Sequence, residues 1–550
     1  MPEPKSDTKR PLGFWSATAT VIATMIGAGI FGATGGFAHE LGTASNVLLV
    51  WLFCGLLALT GALSLGELGA MLPRSGGCYA YNRHLYGETA GYLSGILSWL
   101  LAFVGAAAYV TLLLGHHVQQ LVPELSPAIS ASITVIIFSG IHCTGLREGT
   151  WVNNTFTVIK IGVIGSFIVA GFVVAPKVIA MTRVDDPGIF SSEFAAAMIS
   201  ASFAYLGWET TTWIGGEVRN PNRNLPLSLI IGTLFVMSLY LLLNAVYLRA
   251  DAPAAMNEAD NNATVANLEN RRIIYQPQDK QALHWIQFAA NHTYTNIVEH
   301  NGSYTVKGRI IELSPEKPTD SSTPLTIVFS KTNILPGDPM TGTYAPKATV
   351  NRVVIPGNDI KIGLHTSERL FSGNVAIWFN LMIIVVLLST TSTIIMVGSR
   401  ILLAMSRDGQ LPPGFGLLNR RAVPANALAV QAVAMLVFIW FANSSDRADN
   451  ILIFIGLPTT IIVAAAVFGV IILRRRDPKS DRPFRVPLYP LTPLLFIALA
   501  TWMVGSTIKY KWEASIASAA LVVGVWGLKK ALAWDNKSFH EMSHKPDMEE

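Results

Sequence analysis

Apolar residues arrive in twelve long runs, near 14–38, 45–71, 90–114, 128–144, 152–175, 194–216, 227–249, 373–404, 425–442, 450–473, 490–508 and 514–531. Most are close to the roughly 20 residues that a helix rising 1.5 Å per residue needs to cross a bilayer. Short polar connections separate them, apart from one long polar stretch at about 251–364. This pattern predicts an all-α membrane protein in two blocks, 1–250 and 365–550, around an insert at 251–364. Composition agrees: 51% of the 550 residues are hydrophobic and 14% charged, with a mean hydropathy of +0.43, outside the range of soluble domains. Met1–Pro11 is polar and basic and the first run is too long for a cleaved leader, so the first helix is expected to be the insertion signal.

Two of the runs are interrupted. In the first, Ile26-Gly27-Ala28-Gly29-Ile30-Phe31-Gly32 sets three glycines at membrane depth. Each costs about 1 kcal/mol inside a helix, so the run should split into two half-helices, which is tolerated only beside a cavity. Free N–H groups would then suit an anion and orphan carbonyls a cation, and an amino acid offers both charges. Close helix packing by small residues is the other reading of the same G-x-G. The sixth run carries Ser202-Phe203-Ala204-Tyr205-Leu206-Gly207-Trp208-Glu209-Thr210-Thr211-Thr212, where a glycine, a carboxylate and three threonines weaken the helix at one point. Interrupted segments opening two blocks of five helices fit an inverted-repeat transporter with a midplane site, the last two helices lying outside the repeat.

Lys160 sits in the fifth run. A lysine at that depth costs about 2.5 to 3.5 kcal/mol, so it should face the bundle interior and meet carbonyls or a carboxylate, unless it snorkels to the inner surface. Gly105–Ala108 in the third run is a small-residue stripe suited to packing. Lys and Arg set the orientation: an inside N-terminus gives about eighteen of them to the tail and inner loops and about five to the outer loops. Both termini are thus expected in the cytoplasm and the insert outside the cell membrane. That asymmetry accounts for the net charge of +5, and no basic patch with aromatic platforms points to nucleic acid. Cys54, Cys78 and Cys143 all fall within runs or on the inner side, so no outer disulfide is expected.

The insert is expected to be a small β-rich extracytoplasmic domain. Thr293–Val298 and Tyr304–Ile311 flank Asn301-Gly302, a tight-turn pair. Leu325–Lys331 and Arg352–Ile355 read as further strands, and Asp279–Ala290 as a helix. It holds no metal-ligand spacing, nucleophile elbow or phosphate loop, so no metal, no cofactor and no enzyme activity are expected. His284, His292 and His300 read as surface residues, and Asn262, Asn291 and Asn301 begin sequons.

Five stretches taken in order resemble the amino acid-polyamine-organocation (APC) superfamily, bacterial amino acid permeases and L-type amino acid transporters in particular. They are Ile26–Phe31, Glu67–Gly77, Phe203–Glu209 with Glu217–Pro226, Ser399-Arg400 with Ala404–Gly409, and Arg482–Pro487. The resemblance implies a LeuT-like 5+5 inverted repeat with twelve transmembrane helices. It implies that the substrate carboxylate binds amides at Ala28 and Gly29, with Ile30 next. The amino group would meet carbonyls of Met25, Phe203 and Leu206 around Ala204, and Phe203 would close over the substrate. Lys160 matches a lysine that stands in for sodium in relatives, and Glu209 a carboxylate linked there to proton-dependent gating.

Where the chain departs from relatives, the expected substrate narrows. Ala28 stands where many have Ser, Leu206 stands where L-type members have Gly or Asp, and the region of Ala106 lacks the polar amide of arginine binders. The connection before the fourth run lacks the cysteine that ties heteromeric members to a heavy chain, so no disulfide-linked heavy chain is expected. Gly363–Phe371 again looks like the superfamily's helix before the eighth run, so the insert interrupts a loop that is usually short. The resulting expectation is secondary active transport of a neutral amino acid by alternating access, with proton symport first and exchange second. A receptor that senses amino acids without transporting them is the alternative.

Overall fold

The structure is a computed structural model, and it describes residues 10–27, 29–175, 188–189, 191–250, 375–443, 448–510 and 512–531, with strand segments between 264 and 354. Of the expected site residues, Ala28 lies outside the described residues.

The first run is two helices, α1 (Phe14–Met25) and α2 (Gly29–Leu41). Helix α1 stops because Ile26 turns to an extended conformation, φ −77° and ψ 94°. Ala44–Met71 (α3) follows, capped by the Thr43 side chain, which accepts from the Asn46 N–H. The short helix α4 (Gly77–Tyr86) leads to α5 (Glu88–Leu97), which passes through a π segment, Ser98–Gly105, into α6 (Ala106–Leu121). Next come α7 (Pro127–Thr144) and α8 (Leu146–Val174).

The sixth run is also broken, into α9 (Ser192–Ala204) and the single turn α10 (Thr210–Trp213), followed by a 3-10 turn at Gly215–Glu217. Gly207 takes φ +98° in the gap, a backbone conformation that side chains other than glycine's disfavour. Long helices complete the chain: α11 (Pro221–Ala250), α12 (Val375–Arg407), α13 (Ala425–Asn443), α14 (Ala448–Arg476), α15 (Leu491–Tyr510) and α16 (Trp512–Ala531).

Among the described residues, ten helices are long and apolar enough to cross a membrane, from Phe14–Gly35 to Leu491–Lys509. The sixth run falls short because its break leaves pieces of 13 and 4 residues. The twelfth carries Glu513, Lys529 and Lys530 at its ends.

Within the insert, Thr264–Glu269 (β1), Arg272–Gln276 (β2) and His284–Gln287 (β3) pair antiparallel in order. Val298–His300 (β4), Ser303–Ser314 (β5), Lys317–Ser330 (β6) and Val350–Val354 (β7) form a second antiparallel set. His300 stands opposite Ser303, which leaves Asn301-Gly302 between the two strands. The helix expected at 279–290 is corrected by β3, since Arg272 to Tyr275 on β2 pair with Gln287 to His284 and recruit this segment as an edge.

Helix α1 packs against α11, α8 and α12, and α2 against α9 and α3. The two breaks therefore lie side by side in the middle of the helical core.

Candidate functional site: two helix breaks held together

The end of α1 is held by a buried cation. Lys160 on α8 has no exposed surface. Its Nζ donates to the carbonyls of Ala23 at 2.9 Å and Ile26 at 2.7 Å and to Thr390 Oγ1 on α12 at 2.8 Å. Three donors thus meet three acceptors, two of them orphan carbonyls of a terminating helix, where a cation also offsets the helix dipole. Thr390 Oγ1 lies 2.8 Å from the Ile26 carbonyl as well. It belongs to Ser389-Thr390-Thr391-Ser392-Thr393, all buried. Five hydroxyl residues in an apolar run are a signal visible in the sequence, although nothing local ties them to Lys160.

The second tether also went unforeseen. The hydroxyl of Tyr240 on α11, fully buried, lies 2.7 Å from the Met25 carbonyl and 2.8 Å from the Ala204 carbonyl, one at each break. Its ring is fixed edge-on against Trp51 and Tyr205, with centroids 5.4 and 5.0 Å away. A chain of polar contacts orients that cluster. Tyr205 Oη donates to the Trp51 carbonyl, Trp51 Nε1 to Thr34 Oγ1, and Thr34 Oγ1 to Asn244 Oδ1. Nothing in local sequence pattern marks Tyr240, because its partners are 215 and 36 residues away.

Two further contacts close the space between the breaks. Thr24 Oγ1 lies 3.1 Å from the Gly207 carbonyl. A Cβ at Gly29 would sit 2.9 Å from Ala204 Cβ and 3.0 Å from its Cα, so only glycine fits there. The first turn of α2, with Gly29, buried Ile30 and their N–H groups, therefore starts directly on the end of α9.

The remaining expected residues lie around this core. Phe203 and Leu206 line a cleft with Gly456 and Thr460 on α14 and Met503 and Thr507 on α15. The Phe203 ring abuts Gly456, where an added Cβ would be 2.6 Å from its Cε1. The cleft's hydroxyls on Ser202, Thr460 and Thr507 each donate to a carbonyl of their own helix, which leaves its wall effectively apolar. Glu209 opens α10, and its carbonyl accepts from the Thr212 amide and hydroxyl at 2.9 and 2.7 Å. Its carboxylate is near Cys78 on α4: burial pushes that thiol up and the Glu209 charge adds to the effect. No ion pair joins Glu209 to Lys160 among the described residues. Nor do the described residues hold a group of His, Cys, Asp or Glu with metal-binding geometry.

This arrangement places helix-terminal amides and carbonyls, the buried Lys160 amine and an apolar cleft beside two adjacent helix breaks, a set of groups able to meet an anion and a cation at neighbouring points. Comparison with known proteins agrees in kind. The human b(0,+)-type amino acid transporter 1 is 29% identical over 323 residues, 56% of this chain and 63% of that protein. The human large neutral amino acids transporter small subunit 2 is 29% identical over 260 residues, 44% of this chain and 48% of that protein. The chain thus spans about half to just under two thirds of those relatives. The serine/threonine exchanger SteT of Bacillus subtilis matches nearly end to end, 25% identical over 94% of this chain and 95% of its own. The amino acid permease family matches residues 12–269 and 348–526, the helical blocks with only the centre of the insert left out. On that match the chain belongs to the amino acid permease family, within the APC superfamily of amino acid transporters.

Proposed function

We propose that this protein carries a neutral amino acid across the membrane by alternating access. The substrate carboxylate would lie on the amides that open α2, and its ammonium on carbonyls at the breaks. The observation that carries the reading is the meeting of two broken helices, one ending on Lys160, with Tyr240 bridging both. Leu206 and the apolar cleft beside it suit a small uncharged side chain. The chain takes twelve spans in a LeuT-like repeat, both termini in the cytoplasm and the insert of 251–364 outside as a separate β-rich domain. Proton symport is the first form of coupling, since Lys160 supplies the charge that a metal ion supplies elsewhere and can release its proton.

Exchange is a second form with an observation of its own. Every donor of Lys160 is engaged, which suits a permanent cation, and the relative that matches along nearly the whole chain is named for serine/threonine exchange. That relative's name makes L-serine the first probe; another relative is named a small subunit, and the lack of a cysteine in the connection before the fourth run is what supports a chain here without a disulfide-linked second subunit. Purified full-length protein in proteoliposomes would be tested for uptake of labelled L-serine, with and without an inward proton gradient and with and without internal serine. Accumulation that needs the gradient supports symport, and uptake that needs internal serine supports exchange. Saturable binding of serine or another neutral amino acid with no flux would replace transport by sensing.

A further inference from the structure

Lys160 is sealed from solvent, yet it stands at one end of a polar seam that runs between α8 and α12 to the connection of α7 with α8. On α8 the seam is Asn153, Thr157 and Lys160, which share one helix face and are all buried. Thr157 Oγ1 donates to the Asn153 carbonyl at 2.7 Å. On α12 it is Thr390, which accepts from Lys160 at 2.8 Å, and one turn on Thr393, whose hydroxyl donates to Asn153 Oδ1. Beside Thr393, Ser392 meets His142 of α7, Oγ to Nε2 at 3.0 Å.

His142 is buried two residues from the end of α7 and closes the seam. Its Nδ1 edge lies over Gly149 in the first turn of α8, where an added Cβ would stand 2.5 Å from that nitrogen. Just beyond, Cys143 is half-buried and Thr144 exposed, so the ring spans from a buried hydroxyl toward the surface. That surface is on the side of the N-terminal segment, because Asn154 Nδ2 donates to Ser16 Oγ at the start of α1 at 3.0 Å. Three buried atoms on these helices, Asn153 Nδ2, Ser389 Oγ and Ser139 Oγ, have no hydrogen-bond partner among the described residues. Ser389 is one turn from Thr393, and Ser139 one turn from His142. Buried polar atoms of this kind are met by bound water, which also carries protons between groups.

Charged neighbours of the ring are few. Helix α7 packs against α6, α8, α12 and α13. Of these, α13 carries no ionisable side chain, and α6 brings Tyr109 in its first turn and His116 and His117 near its far end. Helix α8 brings Glu148, beside Gly145, and α12 brings Arg400, near enough for its charge to act on the ring. Arg400 is itself engaged by the Glu217 carboxylate at 3.1 Å, and Arg421 by the Thr144 carbonyl at 2.6 Å.

We propose that this seam is a proton route from Lys160 to the face carrying the N-terminal segment, with His142 as its exit. A proton leaves the Lys160 ammonium by way of Thr390, Thr393 and the water held at Asn153, and reaches Ser392. His142 Nε2 takes a proton from the Ser392 side while Nδ1 releases one to surface water, so the ring ends neutral and the amine is left neutral behind it. The proposal rests on proton symport as its setting, since a permanent cation has no use for an exit. Asn153 and His142 act on the proton and not on the substrate.

The test follows the Lys160 amine by nuclear magnetic resonance in full-length protein in lipid nanodiscs, labelled with nitrogen-15 lysine. The Lys160 signal is assigned by its loss in Lys160→Arg, and the readout is the rate at which its hydrogens exchange with solvent deuterium at one pH without serine. Asn153→Ala and His142→Gln, the latter keeping a polar contact for Ser392 without a ring to pass a proton, should each slow exchange about ten- to a hundredfold, up to the lower end of what a positioned proton-transfer group contributes. Serine binding and the unfolding midpoint of His142→Gln should stay at the parent's values, which a merely structural role would move. Ser392→Ala should slow exchange in the same way and serves if either variant fails to fold. Exchange as fast as the parent's in both folded variants overturns the route, and slowing in only one of them overturns its continuity from Asn153 to His142. In proteoliposomes the same variants should slow gradient-driven serine uptake by a like factor. Uptake by the unaltered protein that ignores the gradient would sink symport and leave the exchange rates to decide the route by themselves.

Discussion

Gly29→Ala is the sharpest probe of how the breaks meet. The added methyl would stand 2.9 Å from Ala204 Cβ and 3.0 Å from Ala204 Cα. The second neighbour is backbone, so no rotamer change relieves it, and α2 must move from the end of α9. Overpacking of this size costs about 1 to 3 kcal/mol, and the stiffer unfolded chain returns about 0.4 to 1 kcal/mol, which leaves a net loss of about 1 to 2 kcal/mol. The strain falls on the amides proposed to hold the carboxylate, so serine binding should weaken about five- to thirtyfold. Ala204→Gly removes the nearer of the two clashing atoms. In a double-mutant cycle it should recover about 1 kcal/mol of the Gly29→Ala loss, a coupling expected only of residues in contact. Thermal unfolding and serine binding by the four proteins give the cycle. Additive losses, or a Gly29→Ala protein that binds as the parent does, would refute the close approach as the basis of the site.

Other perturbations address the charges, the bridge and the insert. Lys160→Ala leaves the Ala23 carbonyl without its donor and the Ile26 carbonyl with Thr390 Oγ1 alone, so serine uptake should fall by most of its rate together with any acid stimulation; retention of both would end the lysine mechanism. Glu209→Gln should keep serine binding and shift the pH optimum of uptake, and a pH profile identical to the parent's would remove Glu209 from coupling. Tyr240→Phe keeps the ring packing but leaves buried carbonyls of Met25 and Ala204 unserved, at about 1 to 3 kcal/mol; an unfolding midpoint equal to the parent's would show that the bridge contributes nothing. Replacing 257–360 with a short Gly/Ser linker from Met256 to Lys361 should leave a folded helical core that still binds serine, since loop closure costs little; a well-folded deletion that binds none would make the insert part of the site.

A property is legible in the sequence where it is local. Length and apolarity mark the helices, and Gly27 and Gly29 mark the first break because glycine alone removes the side chains that would fill it. Lys160 was legible because its burial has so few physical solutions. What stayed hidden is what depends on distance along the chain. Thr390 is 230 residues from Lys160, and Arg400 183 from Glu217. Each is an ordinary polar residue until the fold brings its partner. The segment at 279–290 failed for the opposite reason: its local preference reads as helix, but β2 supplies an edge that recruits His284–Gln287 as a strand.

The hydroxyl of Tyr240 carries a single hydrogen and faces two carbonyl oxygens at nearly equal range, 2.7 and 2.8 Å. The unit is thus one proton short, and whichever oxygen is unserved at a given instant is an acceptor in surplus. A primary ammonium arrives with three hydrogens to give. In the transport reading its entry would settle a standing shortage at both breaks at once, so that an amine is welcomed by the backbone it completes, and an alcohol or acid of the same shape, with fewer hydrogens to donate, is not.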